Sequence, residues 1–125
     1  MSNKKLFLNN KSTVDSIKEV SDSFLVIFDN QCIPEVNSDD LQKKLLETYS
    51  PEKITLYAKP ITDALKKVNN EGYVIENIPR EDYLELYTPL ICKTEYIQNY
   101  FKKFDQWDLY NFIELHEGRI EFILF

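Results

Sequence analysis

The sequence predicts an α/β domain with a mixed sheet, and three observations predict it. The run Phe24-Leu25-Val26-Ile27-Phe28 is apolar throughout, as in a strand covered on both faces. Segments of strand length alternate with segments of helical spacing through the N-terminal half, the pattern of βαβ units. Near the end, Gly118 separates two apolar segments, which reads as a C-terminal β-hairpin. The expected architecture is a single three-layer-like domain over residues 1–125: βαβ units first, then helices, then the hairpin. An α+β arrangement is the alternative. A chain of 125 residues, 14% of them aromatic, has enough material for one core.

The elements follow in order. Leu6 to Leu8 reads as a first strand; the N-terminus starts like a signal peptide, but its apolar stretch stops at Asn9-Asn10-Lys11. Ser12 with Asp15 resembles a capping box, and Val14, Ile17 and Ser21 then follow one helical face. The strand from Phe24 ends at Asp29-Asn30. Ser38 caps the next helix, with Asp39 and Asp40 in the first turn and Leu41, Leu45 and Tyr49 on one face. Ile54 to Ala58 is strand-like. From about Pro60, Ile61, Ala64, Leu65 and Val68 recur at helical spacing. Asn69 to Gly72 is a turn, and Tyr73 to Ile75 returns to strand character. Beyond Pro79, Tyr83, Leu84, Tyr87, Leu90 and Ile91 make a helical apolar face that Pro89 interrupts. Thr94 opens the best helix, with the stripe Ile97, Tyr100, Phe101 and Phe104. The hairpin is expected from Phe112–Leu115 and Arg119–Phe125.

Composition narrows function. The net charge is −6, and residues 61–125 hold twelve acids against seven bases, whereas residues 1–20 are mildly basic. Such a surface repels nucleic acid and anionic membrane and attracts basic partners. The longest apolar run is far too short to span a bilayer. Cys32 and Cys92 are too few for a disulfide scaffold, which points to reduced thiols in a cytoplasm. Both glycines, Gly72 and Gly118, fall in turns, so neither a Walker loop nor a dinucleotide fingerprint is present.

Few residues carry recognisable chemistry. Asp29 ends a buried strand, where open α/β sheets place ligands and catalytic groups. Dehalogenase-type phosphatases have a second aspartate two residues on; Gln31 stands there instead. His116 falls in the expected hairpin turn with no nucleophile or zinc ligands spaced around it. No catalytic residue, metal or cofactor is therefore assigned. Aromatics crowd among acids after Pro79, and Tyr96 and Trp107 lie off the helical stripes. The expected binding face comprises Glu81, Asp82, Glu85, Tyr96, Asp105, Trp107 and Asp108. The expected function is a non-enzymatic, cytoplasmic immunity protein that neutralises a basic partner, such as a nuclease-type toxin. Two alternatives are a nucleic-acid mimic that inhibits a defence nuclease, and a small α/β enzyme using Asp29.

Overall fold

A computed structural model describes residues 3–9, 20–33, 38–61 and 65–125. The strands are β1 (Asn3–Phe7), β2 (Phe24–Phe28), β3 (Ile54–Pro60), β4 (Leu65–Val68), β5 (Val74–Ile78), β6 (Leu84–Lys93) and β7 (Ile120–Leu124). The helices are α1 (Ser38–Thr48), α2 (Thr94–Lys103) and α3 (Leu109–Leu115). Five strands form one mixed sheet in the order β1-β2-β6-β3-β7. β1 runs parallel to β2, and β3 parallel to β7. β6 lies between these pairs, antiparallel to both neighbours. β4 and β5 form a separate antiparallel ribbon.

Alternation along the strands builds two cores. Leu25, Ile27, Ile54, Leu56, Leu90 and Cys92 face α2 and α3, which contribute Ile97, Tyr100, Phe101, Leu109 and Phe112. Phe24, Val26, Phe28, Tyr57 and Ile91 face α1, which contributes Leu41 and Leu45. The result is a three-layer α/β domain, as expected. Each fully buried aliphatic side chain contributes about 1.5–3 kcal/mol. The ion pairs Lys53–Glu121 (3.1 Å) and Lys93–Glu95 (3.2 Å) are exposed, where such pairs contribute ~0–1 kcal/mol. Packing on the two sheet faces therefore holds the domain, and surface charge is a minor term.

The strands at Phe24 and Ile54, the helix from Ser38 and the helix from Thr94 form as the sequence predicts. Three other segments differ. Residues 65–68 are strand rather than helix, because β5 supplies an antiparallel partner across the Asn69–Gly72 turn. Asn69 Oδ1 accepts from the backbone N–H groups of Glu71 and Tyr73, and Gly72 adopts φ 88°. Residues 84–93 are also strand, and Pro89 sits where β6 bulges instead of kinking a helix. The β3 ladder passes from Leu56↔Leu90 directly to Tyr57↔Tyr87, so Thr88 and Pro89 stand outside it.

The third difference is at the C-terminal end. Asp108 caps α3 by accepting from Asn111 N–H at 3.1 Å, and this helix replaces the first arm of the expected hairpin. Gly118 lies in a 3₁₀ turn, and β7 joins β3 in parallel. The helix expected from Ser12 falls on residues outside those described.

Thr55, in β3, is buried and its hydroxyl has no hydrogen-bond partner among the described residues. Thr55→Val keeps the shape and removes the unmatched polar group. It is expected to raise unfolding free energy by about 1 kcal/mol, read from denaturant midpoints. A loss of stability would show that the hydroxyl is satisfied.

Candidate active site

The site is built on the end of β2. The strand delivers Asp29 into the interior, where it is 4% exposed and is the only buried acid among the described residues. Its surroundings compensate for that burial. Oδ1 accepts from the Gln31 backbone N–H (2.8 Å) and the Thr88 hydroxyl (2.9 Å), and Oδ2 accepts from the Trp107 indole N–H (2.9 Å). The Asp29 N–H donates to Thr88 Oγ1 at 3.1 Å, so the two residues bond reciprocally.

Thr88 reaches Asp29 because of the β6 bulge. Its N–H donates to Gln31 O (3.2 Å) and its carbonyl accepts from Ile33 N–H (3.1 Å), which ties the loop after β2 to β6. Trp107 arrives from the other side, on the loop between α2 and α3. Tyr100 organises that loop: its hydroxyl donates to Gln106 O and accepts from Asp108 N–H (2.9 Å). Its ring packs edge-on against the indole, with centroids 5.2 Å apart. A small depression of about 120 Å³ opens beside the carboxylate. Asn9, Asn30, Gln31 and Asp108 line it together with Asp29 and Trp107. The site thus offers a fixed carboxylate and a ring of amides, a set able to accept from and donate to hydroxyl-rich ligands.

The residues expected to form an acidic-aromatic face do not form one. Glu81, Asp82, Glu85, Asp105 and Asp108 are exposed, but both expected surface aromatics are buried. Tyr96, on α2, is buried with its hydroxyl donating to Pro51 O at 3.0 Å, and Trp107 is 3% exposed. Their positions off the Ile97 stripe mark packing against a neighbouring segment rather than exposure. Asp108 joins the Asp29 depression and caps α3. Glu85 accepts from the Tyr87 hydroxyl at 2.7 Å. Asp29 was the enzymatic alternative, and its partners Thr88 and Trp107 escape sequence reading. The available signal was that a buried indole N–H needs an acceptor.

The other candidate groups are structural. Cys92 is fully buried, and burial pushes its thiol far up, which makes it a poor nucleophile. Cys32 is half-buried, and burial first, then the Asp29 charge, raise its thiol. No group of three or more acid, histidine or cysteine side chains gathers among the described residues. His116 follows α3 rather than lying in a hairpin. Its ring rests against Tyr96 and Phe112, and Nε2 is buried without a partner among the described residues. Burial chiefly lowers its pKa; a backbone hydrogen bond to Tyr96 opposes this, and the Arg119 and Lys103 charges add to it.

With this geometry in place, the fold can be compared with solved structures. The 4-diphosphocytidyl-2C-methyl-D-erythritol synthase from Anaerococcus prevotii superposes with a TM-score of 0.68 at 15% identity, covering 89% of this chain and 52% of that enzyme. The 2-C-methyl-D-erythritol 4-phosphate cytidylyltransferase from Thermus thermophilus gives 0.68 at 17% identity, over 90% and 56% of the two chains. The Francisella tularensis cytidylyltransferase gives 0.58 at 13%, over 89% and 55%. The chain spans about half the length of these enzymes, and at such identities the likeness establishes the fold alone. No protein-family model and no curated protein matches the sequence. The expected non-enzymatic immunity protein is corrected by these findings: the fold is one used by enzymes. The absence of a glycine-rich motif excludes particular phosphate loops and not enzymes as a class. No described helix is long and apolar enough to cross a membrane.

Trp107→Phe removes the donor to Asp29 Oδ2 and keeps the ring packing. The expected cost is about 1–3 kcal/mol in denaturant unfolding, and an unchanged midpoint would remove Trp107 from the clamp. For His116, the unfolded chain protonates near the ordinary value of 6.5 and the folded protein only at lower pH. Protonation therefore favours unfolding, so His116 makes stability fall from about pH 6.5 downward and contributes nothing to the slope above it. His116→Phe should flatten the stability profile on the acid side of about pH 6.5, measured by thermal melts.

Proposed function

We propose that the chain is a nucleotidyltransferase-type domain. It transfers a nucleotidyl group, a cytidylyl group by likeness to its structural neighbours, to a small phosphorylated polyol. The observation that carries this reading is Asp29. A buried carboxylate held from three sides, opening on a polar depression at the carboxyl end of a strand parallel to β1, is more than stability requires. An acid clamped beside a polar depression, with acceptor capacity left over, is a candidate working group. The fold likeness then supplies the reaction class.

In that reaction an acceptor phosphate oxygen attacks the α-phosphorus of a nucleoside triphosphate. The bond to the bridging oxygen breaks, and pyrophosphate leaves. Asp29 already accepts three hydrogen bonds, so it offers one further acceptor position toward the depression. A ligand hydroxyl fits that position. A divalent cation shared with substrate phosphates, if bound there, would be held by Asp29, with Asp108 also lining the depression. Such an ion, when bound, neutralises phosphate charge. The amides of Asn9, Asn30 and Gln31 orient polar ligand groups. A cytoplasmic location fits this reading, since the substrates are soluble metabolites and both cysteines are free thiols.

The test is pyrophosphate release with Mg²⁺, cytidine triphosphate and 2-C-methyl-D-erythritol 4-phosphate or simpler polyol phosphates. Release is expected with the unaltered protein and should fall by roughly 100-fold in Asp29→Asn. Absence of release, together with no calorimetric binding of any of the common nucleoside triphosphates, would overturn the assignment.

A further inference from the structure

α2 meets α3 and its C-terminal end through aromatic rings, Tyr100 on Phe112 and Tyr96 on His116. A groove of about 280 Å³ lies there, lined by Asn99, Lys102, Lys103, Leu115 and His116. It shares no lining residue with the Asp29 depression. The chain carries a net charge of −6, yet no acid lines this groove. Lys102 and Lys103 are exposed, and among the described residues neither is in an ion pair. Arg119 adds a third cation beside them: its guanidinium lies 5.1 Å from the centre of the Tyr96 ring, which itself packs on His116.

Lysines in the last turn of a helix complement its macrodipole and need no ligand. The imidazole is what the helix end does not explain. His116 is half-buried, and its Nε2 has no hydrogen-bond partner among the described residues. The elements around the ring carry Glu95, Lys102 and Lys103 on α2, Glu114 on α3, and Glu117 and Arg119 in the 3₁₀ turn. Burial is the main cause that keeps the ring neutral, and the charges of Arg119 and Lys103 add to it. The backbone bond to Tyr96 opposes them, and no carboxylate does. A polar edge without a counter-charge, set among cations, is completed by an anion, which favours the protonated ring.

We propose that the α2–α3 groove binds a small dianion of the phosphate class. Lys102 and Lys103 supply the charge, the Asn99 amide donates to an oxygen, and His116 takes up a proton from solvent as the anion enters. The size agrees: pockets for drug-sized ligands run from about 300 to 1,000 Å³, so this groove suits a small anion rather than a whole nucleotide. The proposal stands apart from the nucleotidyl-transfer reading, since it uses none of the Asp29 residues and its test contains no nucleotide.

The experiment follows the His116 Cε1–H proton resonance, which is unambiguous because the chain has one histidine. Its titration midpoint is measured in the whole chain with about 20 mM sulfate or phosphate, and with sodium chloride at equal ionic strength. Sulfate keeps its charge through this pH range, so its effect reports the imidazole alone. Both dianions are expected to raise the midpoint by about one pH unit beyond the chloride sample. Replacing both lysines, Lys102→Gln with Lys103→Gln, should abolish that difference. It should also raise the midpoint of the anion-free protein, because a repelling cation is gone. Circular dichroism should not change, since both positions are exposed. A midpoint that moves no further with either dianion than with chloride would overturn the site, as screening then accounts for it. A dianion-specific rise that survives the double substitution would overturn its placement in the groove.

Discussion

The structure turns on one buried carboxylate. Asp29 ends β2, and three otherwise independent segments converge on its two oxygens: the loop after β2 through Gln31, β6 through Thr88, and the α2–α3 connection through Trp107. Hydrogen bonds to a charged acceptor are roughly twice as strong as neutral ones, and losing any of them in the interior leaves an uncompensated charge. That asymmetry fixes the three segments relative to one another more firmly than apolar contact alone, which tolerates sliding. The same constraint explains why Trp107 is buried although its flanking residues Gln106 and Asp108 are exposed.

The clamp also sets the character of the site. Neither glycine lies near it, since Gly72 turns the β4–β5 ribbon and Gly118 lies in the 3₁₀ turn before β7. Among the described residues no glycine places a closely approaching backbone amide beside the carboxylate. Side-chain amides from Asn9, Asn30 and Gln31 take that place around a single fixed acid. Lys5 is a described cation at this end of the sheet, with its ammonium 4.7 Å from the centre of the Phe28 ring. A lining of this kind can accept from and donate to hydroxyl groups.

How much of this was legible depended on the range of the interaction that decided each element. The β2 run, the α1 start at Ser38 with Asp39 and Asp40, β3 and the Ile97–Tyr100–Phe101 stripe are local patterns, and each appears where periodicity places it. β4 and β6 carry helix-compatible spacing and become strands only because partners distant in sequence pair with them. Acidic capping by Asp108 is a local signal that the apolar residues on either side of Gly118 obscured. Within the site, Asp29 was visible as a strand-end acid, but Thr88 lies 59 residues away and Trp107 78. Tyr96 and Trp107 stood out as misfits to a stripe. Misfit marked a second packing direction, not exposure.

The mixed sheet and the site have a common origin in β6. Two parallel pairs, β1–β2 and β3–β7, each need a crossover, and β6 joins them by running antiparallel between β2 and β3. A regular strand in that position would give both its hydrogen-bonding edges to its neighbours. β6 cannot do so at Thr88, because β2 has already ended its ladder at Ile27↔Leu90 and the ladder with β3 passes from Leu90 directly to Tyr87. The N–H and C=O of Thr88 are thereby released to Gln31 and Ile33, and its hydroxyl to Asp29. A bulge that would only weaken a sheet elsewhere converts the middle strand into the wall of a polar site. Regularising β6 would close the ladder and leave the Asp29 carboxylate without its threonine.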